Sequence, residues 1–332
     1  MGAPRGFADM LARFLTTHLP VTRGLSPNTV ASYRDAFVLF LRHMAERHNL
    51  QPDRVGFEHL TAANVNGFVE WLRQERGSSP ATTNQRLAAV KSFFRHVQAE
   101  APELIAQARQ VLGVEPAKTP EPQIVYLPLD GVALVLELAK RRGLRDLALL
   151  ATLYDTGARV QEVCDLAAGD LHLDKPASVT LTGKGRKTRT VPLTPQAAEI
   201  LARHASTLPA DPAAPVFTNH SGQRIGRAGV AYVLAKCAEA GHKERPDLVP
   251  AHVTPHSMRH SKAVHLLENG VNLVYIRDIL GHASVTTTEI YARASPETKR
   301  RAVEAASAKV VGPTRYPPAA RRDLITWLRD TI

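Results

Sequence analysis

Residues 113–128 read GVEPAKTPEPQIVYLP, and this stretch constrains the chain more than any other. Pro116, Pro120, Pro122 and Pro128 each lack an amide hydrogen and clash with the preceding helical turn, so no continuous helix can cross it. The chain has 332 residues, enough for two domains of ordinary size. It is therefore read as a helical domain over 1–112, a linker over 113–122, a second domain over 123–312, and a connector with a final helix over 313–332.

The first part carries helical periodicity in FADMLARFLTTHL, SPNTVASYRDAFVLFLRHMAERH, TAANVNGFVEWLRQERG, SPATTNQRLAAVKSFFRHVQAE and PELIAQARQVLG. Ser26, Thr61 and Ser79 are placed to cap helices, two of them ahead of a proline at the first helical position. Past the linker, helices are expected at LDGVALVLELAKRR and along LRDLALLATLYDTGARVQEVCDL. ASVTLTGKGRKTRTVPL then reads as a β-hairpin with a basic tip. Further helices are expected at 195–206, 226–241, 257–269, 272–280 and 286–292, with another in RRDLITWLRDTI. The fold class is mainly α with a small β-sheet.

Lys and Arg number 42 against 31 Asp and Glu, a net charge of +11, and both parts of the chain are basic. Such a balance points to a polyanionic partner, with nucleic acid first. Cys164 and Cys237 are too few for a disulfide framework and lack the spacing of a zinc site. No segment reads as a secretion leader or a bilayer span, so a soluble cytoplasmic protein is expected.

Several residues could carry chemistry, and each alone has an ordinary structural reading. Arg159 and Glu162 lie three apart in DTGARVQEVCDL, which also describes a surface ion pair. Lys184 sits in the hairpin turn, where a solvated lysine is unremarkable. His256 and Arg259 share a helical face behind Thr254-Pro255, and a histidine there can equally be a cap or a core group. In LGHASVTTTEIY, His282 leads through a polar run to Tyr291, which is either a packing residue or a nucleophile.

Taken in order, TGARVQEV, TGKGRKTRTVPL, PHSMRHSKAVHLLENG and LGHASVTTTEIYAR resemble the sequence boxes of the tyrosine recombinase or phage integrase family, especially its Xer-like branch. LSPNTVASYRDAFVLFLRHM and SPATTNQRLAAVKSFFRHV resemble that family's N-terminal domain, so the likeness runs over roughly 7–295. The resemblance implies a helical SAM-like core-binding domain and an α+β catalytic domain closing around DNA. It implies site-specific cleavage and rejoining through a 3′-phosphotyrosyl intermediate, with Tyr291 as nucleophile and Arg159 and Arg259 on the scissile phosphate. Lys184 would protonate the leaving 5′ oxygen, His256 and His282 would bond the phosphate or assist proton transfer, and Glu162 would hold an active-site arginine. It further implies a tetramer on DNA, a dimer of dimers, or assembly with a related recombinase. Ser257-Met258 departs from the Asp-Leu or Gly-Leu pair common at that place, without touching a position expected to meet phosphate.

The chemistry agrees with these assignments. Attack on a phosphodiester adds negative charge to the nonbridging oxygens, and planar guanidinium forks match that charge better than lysines. A phenol with a pKa near 10 is a poor nucleophile at neutral pH unless a positive field or a base assists it. A two-metal site would need several carboxylates where the boxes offer Glu162, so no metal and no cofactor are expected. Three other readings stand beside this one: a type IB topoisomerase-like enzyme, a DNA-binding regulator without catalysis, and a zinc protein using His256, His260 and His265. The tail after Tyr291 is expected to end in a helix with Leu324, Ile325, Trp327, Leu328 and Ile332 on one face, docked in its own protomer or in a neighbour.

Overall fold

In a computed structural model, the chain divides into two compact units, Met1–Glu121 and Pro122–Ile332. The structure describes residues 6–120, 124–282 and 284–294, with Lys184, Thr286 and residues 292–294 described by their backbone alone. The expected connector and end helix over 313–332 lie outside the described residues.

The first unit is helical. Helix α1 (Phe7–Arg13) passes into a π-helix over Phe14–Thr22 and is followed by α2 (Pro27–His48), α3 (Ala62–Gln74), α4 (Pro80–Glu100) and α5 (Ile105–Leu112). The opening helix thus runs three residues past its expected end and through Pro20. A wider turn accommodates the proline's missing donor, with the Arg23 amide bonding the carbonyl of His18, five residues back. Ser26, Thr61 and Ser79 accept bonds from the amides three residues on, as their cap positions require. Phe93 centres the core, meeting Phe7, Phe14 and Phe37 edge-on at 5.3–5.8 Å. The segment read as a linker begins against this unit: Val114 is buried, and Asn84 bonds both the amide and the carbonyl of Ala117 at 2.8 Å.

The second unit holds α6 (Leu129–Arg142), α7 (Leu144–Asp155) and α8 (Val160–Asp165), then β1 (Leu171–His172), β2 (Ser178–Thr182) and β3 (Thr188–Pro192). Five more helices follow: α9 (Pro195–Ala205), α10 (Arg227–Glu244), α11 (Pro255–Glu268), α12 (Leu273–Leu280) and α13 (Thr286–Ala294). The sheet is antiparallel in the order β1-β2-β3 and includes a short strand the sequence reading omitted. Register pairs Val179 with Val191 and Leu181 with Arg189, so the arginine falls on the face that holds the buried valine. Buried leucines of α7 join Val179, Leu181 and Val191 in the main core.

The stretch 144–166, read as one helical run, is two helices. Gly157 stands at φ +57°, a left-handed conformation that ends α7. Thr156 bonds back to the Thr152 carbonyl at 2.6 Å and accepts the Ala158 amide at 3.2 Å, so the break is hydrogen-bonded throughout. This turn delivers Arg159 to the start of α8.

Candidate active site

Glu162 is where the site is assembled. Its carboxylate accepts the Arg159 amide at 2.8 Å and Arg159 Nη1 at 2.9 Å. From the hairpin, Arg189 adds Nη1 at 3.0 Å and Nη2 at 2.7 Å. The Glu162 side chain is 3% exposed. Burial alone would raise its pKa, but the bonds from Arg189 and Arg159 prevail and hold it below the ordinary carboxylate value. Arg189 is itself fixed by donating Nε–H to the Ile279 carbonyl at 2.8 Å, which ties β3 to the end of α12.

The second arginine grows out of α11. Thr254 caps that helix by accepting the Ser257 amide, with Pro255 at the first helical position. Arg259 then points inward and donates to the Gly157 and Leu280 carbonyls, both at 2.6 Å. Arg159 donates to Gly281, the next carbonyl along, at 3.0 Å. Two turns, one after α7 and one after α12, thus hold both guanidiniums by their carbonyl groups. Gly281 serves this with φ +63°, and a Cβ there would come within 2.8 Å of Arg189 Nη1. Arg259 is 3% exposed, and burial, aided by the neighbouring Arg159, lowers its pKa to about 10.

Tyr291 comes from α13, which packs on α11 and α12. Its ring is 1% exposed, in a cluster with Val264, Ile276 and Leu280. The hydroxyl lies 2.9 Å from His260 Nδ1. His282 stacks nearly parallel to the phenol ring at 6.4 Å and reaches Thr288 Oγ1 with Nδ1 at 3.0 Å. Burial, reinforced by Arg259 and Arg159, lowers the His282 pKa to about 4, so its imidazole is neutral at physiological pH. For Tyr291, burial raises the phenol pKa and outweighs the pull of Arg259 and Arg159. The cationic field expected to activate the phenol is present, but burial outweighs it.

Arg159, Glu162, Arg259, His282 and Tyr291 are therefore brought together. His256 is exposed, its ring 6.2 Å from that of His260, at the rim of the group. Lys184 lies in the hairpin tip, but its side chain is outside the described atoms, so the expected role is neither placed nor displaced. A cavity of about 580 Å³, lined by Arg159, Gly183, Lys187, Arg189, Gly281 and His282, opens beside the tip. His265 turns to Tyr154 Oη at 2.9 Å while His260 turns to Tyr291, which separates two members of the suggested zinc trio. Two site residues were missed. Arg189 was detectable as a charge on the inward phase of a strand whose neighbours Thr188 and Thr190 face out. His260, as a residue of the sequence, reads only as a possible metal ligand beside His256 and His265.

Residues 126–298 match the phage integrase family, and 11–101 match the phage integrase N-terminal SAM-like domain. The chain belongs to the phage integrase family. Within this family it is a tyrosine recombinase, and its reaction is site-specific recombination of DNA. A putative integrase/recombinase of Sinorhizobium fredii, y4rC, is 32% identical over 314 residues, covering 94% of this chain and 95% of the relative. Tyrosine recombinase XerD of Listeria monocytogenes is 33% identical, covering 85% and 93%. Among solved structures, the fold is similar to XerH site-specific recombinase in a post-cleavage complex with its difH substrate (TM-score 0.66, 22% identity, covering 86% and 81%). It is also similar to the Tn1549 transposon integrase in complex with transposon right end DNA (TM-score 0.68, 17% identity, covering 89% and 98%). No helix among the described residues is long and apolar enough to cross a membrane.

Proposed function

We propose that this recombinase cleaves one strand of a duplex site by attack of Tyr291 on the scissile phosphorus. Arg159 and Arg259 hold the nonbridging oxygens, and the arrangement that carries this reading is their convergence, fixed by backbone carbonyls, beside the Tyr291 hydroxyl. Donors fixed in advance stabilise developing charge without reorganising at the moment of reaction. Lys184 protonates the leaving 5′ oxygen, while His282 and His256 bond the phosphate. Glu162 holds Arg159 in line. The 3′-phosphotyrosyl ester retains the energy of the broken bond, so the free 5′ hydroxyl of a partner strand reverses the step without ATP. Strand exchange takes place in a tetramer, a dimer of dimers on DNA, in the cytoplasm on nucleoid DNA. The DNA complexes of its structural neighbours and the net charge of +11 support a duplex partner.

The test is incubation with a pool of nicked duplexes of randomised sequence, followed by denaturing electrophoresis. A covalent protein–DNA adduct that maps by peptide mass spectrometry to Tyr291 is the expected result. An adduct on another tyrosine, or cleavage without any adduct, overturns the assignment.

A further inference from the structure

Burial holds the Tyr291 phenol above its ordinary pKa despite Arg259 and Arg159, so its proton does not leave unaided at neutral pH. Three imidazoles belong to this neighbourhood, and their placement relative to the hydroxyl separates them. His282 directs Nδ1 to Thr288 Oγ1. His256 is exposed and meets the group through the ring of His260. His260 places Nδ1 2.9 Å from the phenol oxygen, with ring centroids 5.5 Å apart.

We propose that His260 is the general base of strand cleavage, taking the Tyr291 proton on Nδ1 as the phenol oxygen bonds to phosphorus. This rests on Tyr291 being the nucleophile. The step balances as follows. The Tyr291 O–H bond breaks and its proton passes to His260. The Oη–P bond forms, the P–O5′ bond breaks, and the leaving oxygen takes its proton from Lys184. On rejoining, the 5′ hydroxyl returns its proton to Lys184, and His260 gives its proton back to the departing phenolate.

The surroundings suit this task. His256 and Arg259 face His260 from α11, Tyr291 faces it from α13, and His282 lies across the phenol ring. Burial, then the neighbouring His256 and Arg259, lower the His260 pKa, so the imidazole is neutral at pH 7 and has a lone pair to offer. Transfer from phenol to such an imidazole is uphill in the resting site. Bonding to phosphorus drives it, because the phenolate charge is consumed as it develops.

The experiment measures single-turnover adduct formation on a nicked duplex between pH 5 and 9. For the wild type, the rate should climb with pH through a titration below 6.5 and then level off, since the neutral imidazole is the active form. His260→Asn keeps an acceptor near the position of Nδ1 without basicity, and should lose that limb and slow roughly 10²–10⁴-fold. His260→Ala should be partly restored by added imidazoles, more strongly by the more basic ones. Half-site binding and thermal melting report whether each variant is folded. Wild-type speed in folded His260→Asn overturns the proposal, as does an absence of imidazole rescue. Mapping the adduct separates the two claims: DNA on Tyr291 with an indifferent His260→Asn removes the base alone, whereas DNA on another tyrosine removes the nucleophile and the base together.

Discussion

Arg189 and Glu162 meet through two parallel hydrogen bonds, Nη1 to Oε1 at 3.0 Å and Nη2 to Oε2 at 2.7 Å, and this pair joins the hairpin to the helix that starts at Arg159. Both side chains are largely buried, at 14% and 3% exposure. Removing the carboxylate would leave two guanidiniums without their shared partner. Glu162→Ala should therefore cost about 3–5 kcal/mol, which lowers the melting temperature of the catalytic unit by roughly 10 °C. Arg189→Lys should fall between, because a lysine keeps the charge but cannot make the two-armed contact. A melting curve for Glu162→Ala that overlays the wild type would refute the central place given to this carboxylate.

Gly281→Ala should damage the site although it replaces no charged residue. The position has φ +63°, and the added methyl would come within 2.8 Å of Arg189 Nη1. Strain of about 1–3 kcal/mol is expected, together with slower adduct formation, since the Gly281 carbonyl also anchors Arg159. Unchanged cleavage kinetics would show that the turn tolerates the shift.

Much of this arrangement is legible in the sequence because it depends on local signals. The caps at Ser26, Thr61 and Ser79 and the alternation of the hairpin strands act within a few residues, so the element boundaries are readable. The sequence boxes likewise bring Arg159, Arg259, His282 and Tyr291 to one place. What escaped reading depends on contacts between distant segments. Arg189 acquires its role from Glu162, 27 residues away, and His260 from Tyr291, 31 residues away. The extension of the first helix through Pro20 depends on a wider hydrogen-bonding pattern that side-chain periodicity does not encode.

Tyr291→Phe should abolish the covalent adduct while leaving DNA affinity nearly unchanged, because it removes one oxygen and no charge. Titration of labelled duplex beside a denaturing gel measures both quantities. Residual adduct in this variant would direct attention to the exposed Tyr232 and Tyr275.

Arg159→Ala and Arg259→Ala should each slow single-turnover cleavage by several kcal/mol, by comparison with about 3–4 kcal/mol for one oxyanion donor. Lysine at either position should restore little, since one ammonium cannot hold a carbonyl and a phosphate oxygen in a fixed fork. Lys184→Ala should instead recover on a substrate whose leaving 5′ oxygen is replaced by sulfur, which departs without a proton. If sulfur brings no recovery, the lysine is a DNA contact rather than an acid.

The catalytic unit should lose stability in mild acid. An unfolded histidine takes a proton near pH 6.5, whereas folded His282 takes one at about 4, because burial and the neighbouring arginines oppose its charge. Its contribution is therefore complete above pH 6.5 and declines as the pH falls towards 4. His282→Asn should flatten the denaturant midpoint across that window. A smaller slope should persist from His260 and His265, whose pKa values are also lowered by burial. An identical slope in the variant would show that His282 is not the group titrating.

Three guanidiniums, those of Arg159, Arg189 and Arg259, gather near the single carboxylate of Glu162, and Arg259 has its pKa lowered by burial first and by the neighbouring arginines second. The site is thus electrostatically frustrated: packing and backbone carbonyls hold like charges together where solvent alone would let them part. A doubly negative oxyanion resolves that conflict, so the nucleic acid acts as a missing counterion of the fold as well as its substrate. Orthovanadate or sulfate should raise the melting temperature of the free protein in proportion to occupancy. The ground for catalysis is laid when the chain folds, as a strain in charge rather than in geometry, released when a phosphate arrives.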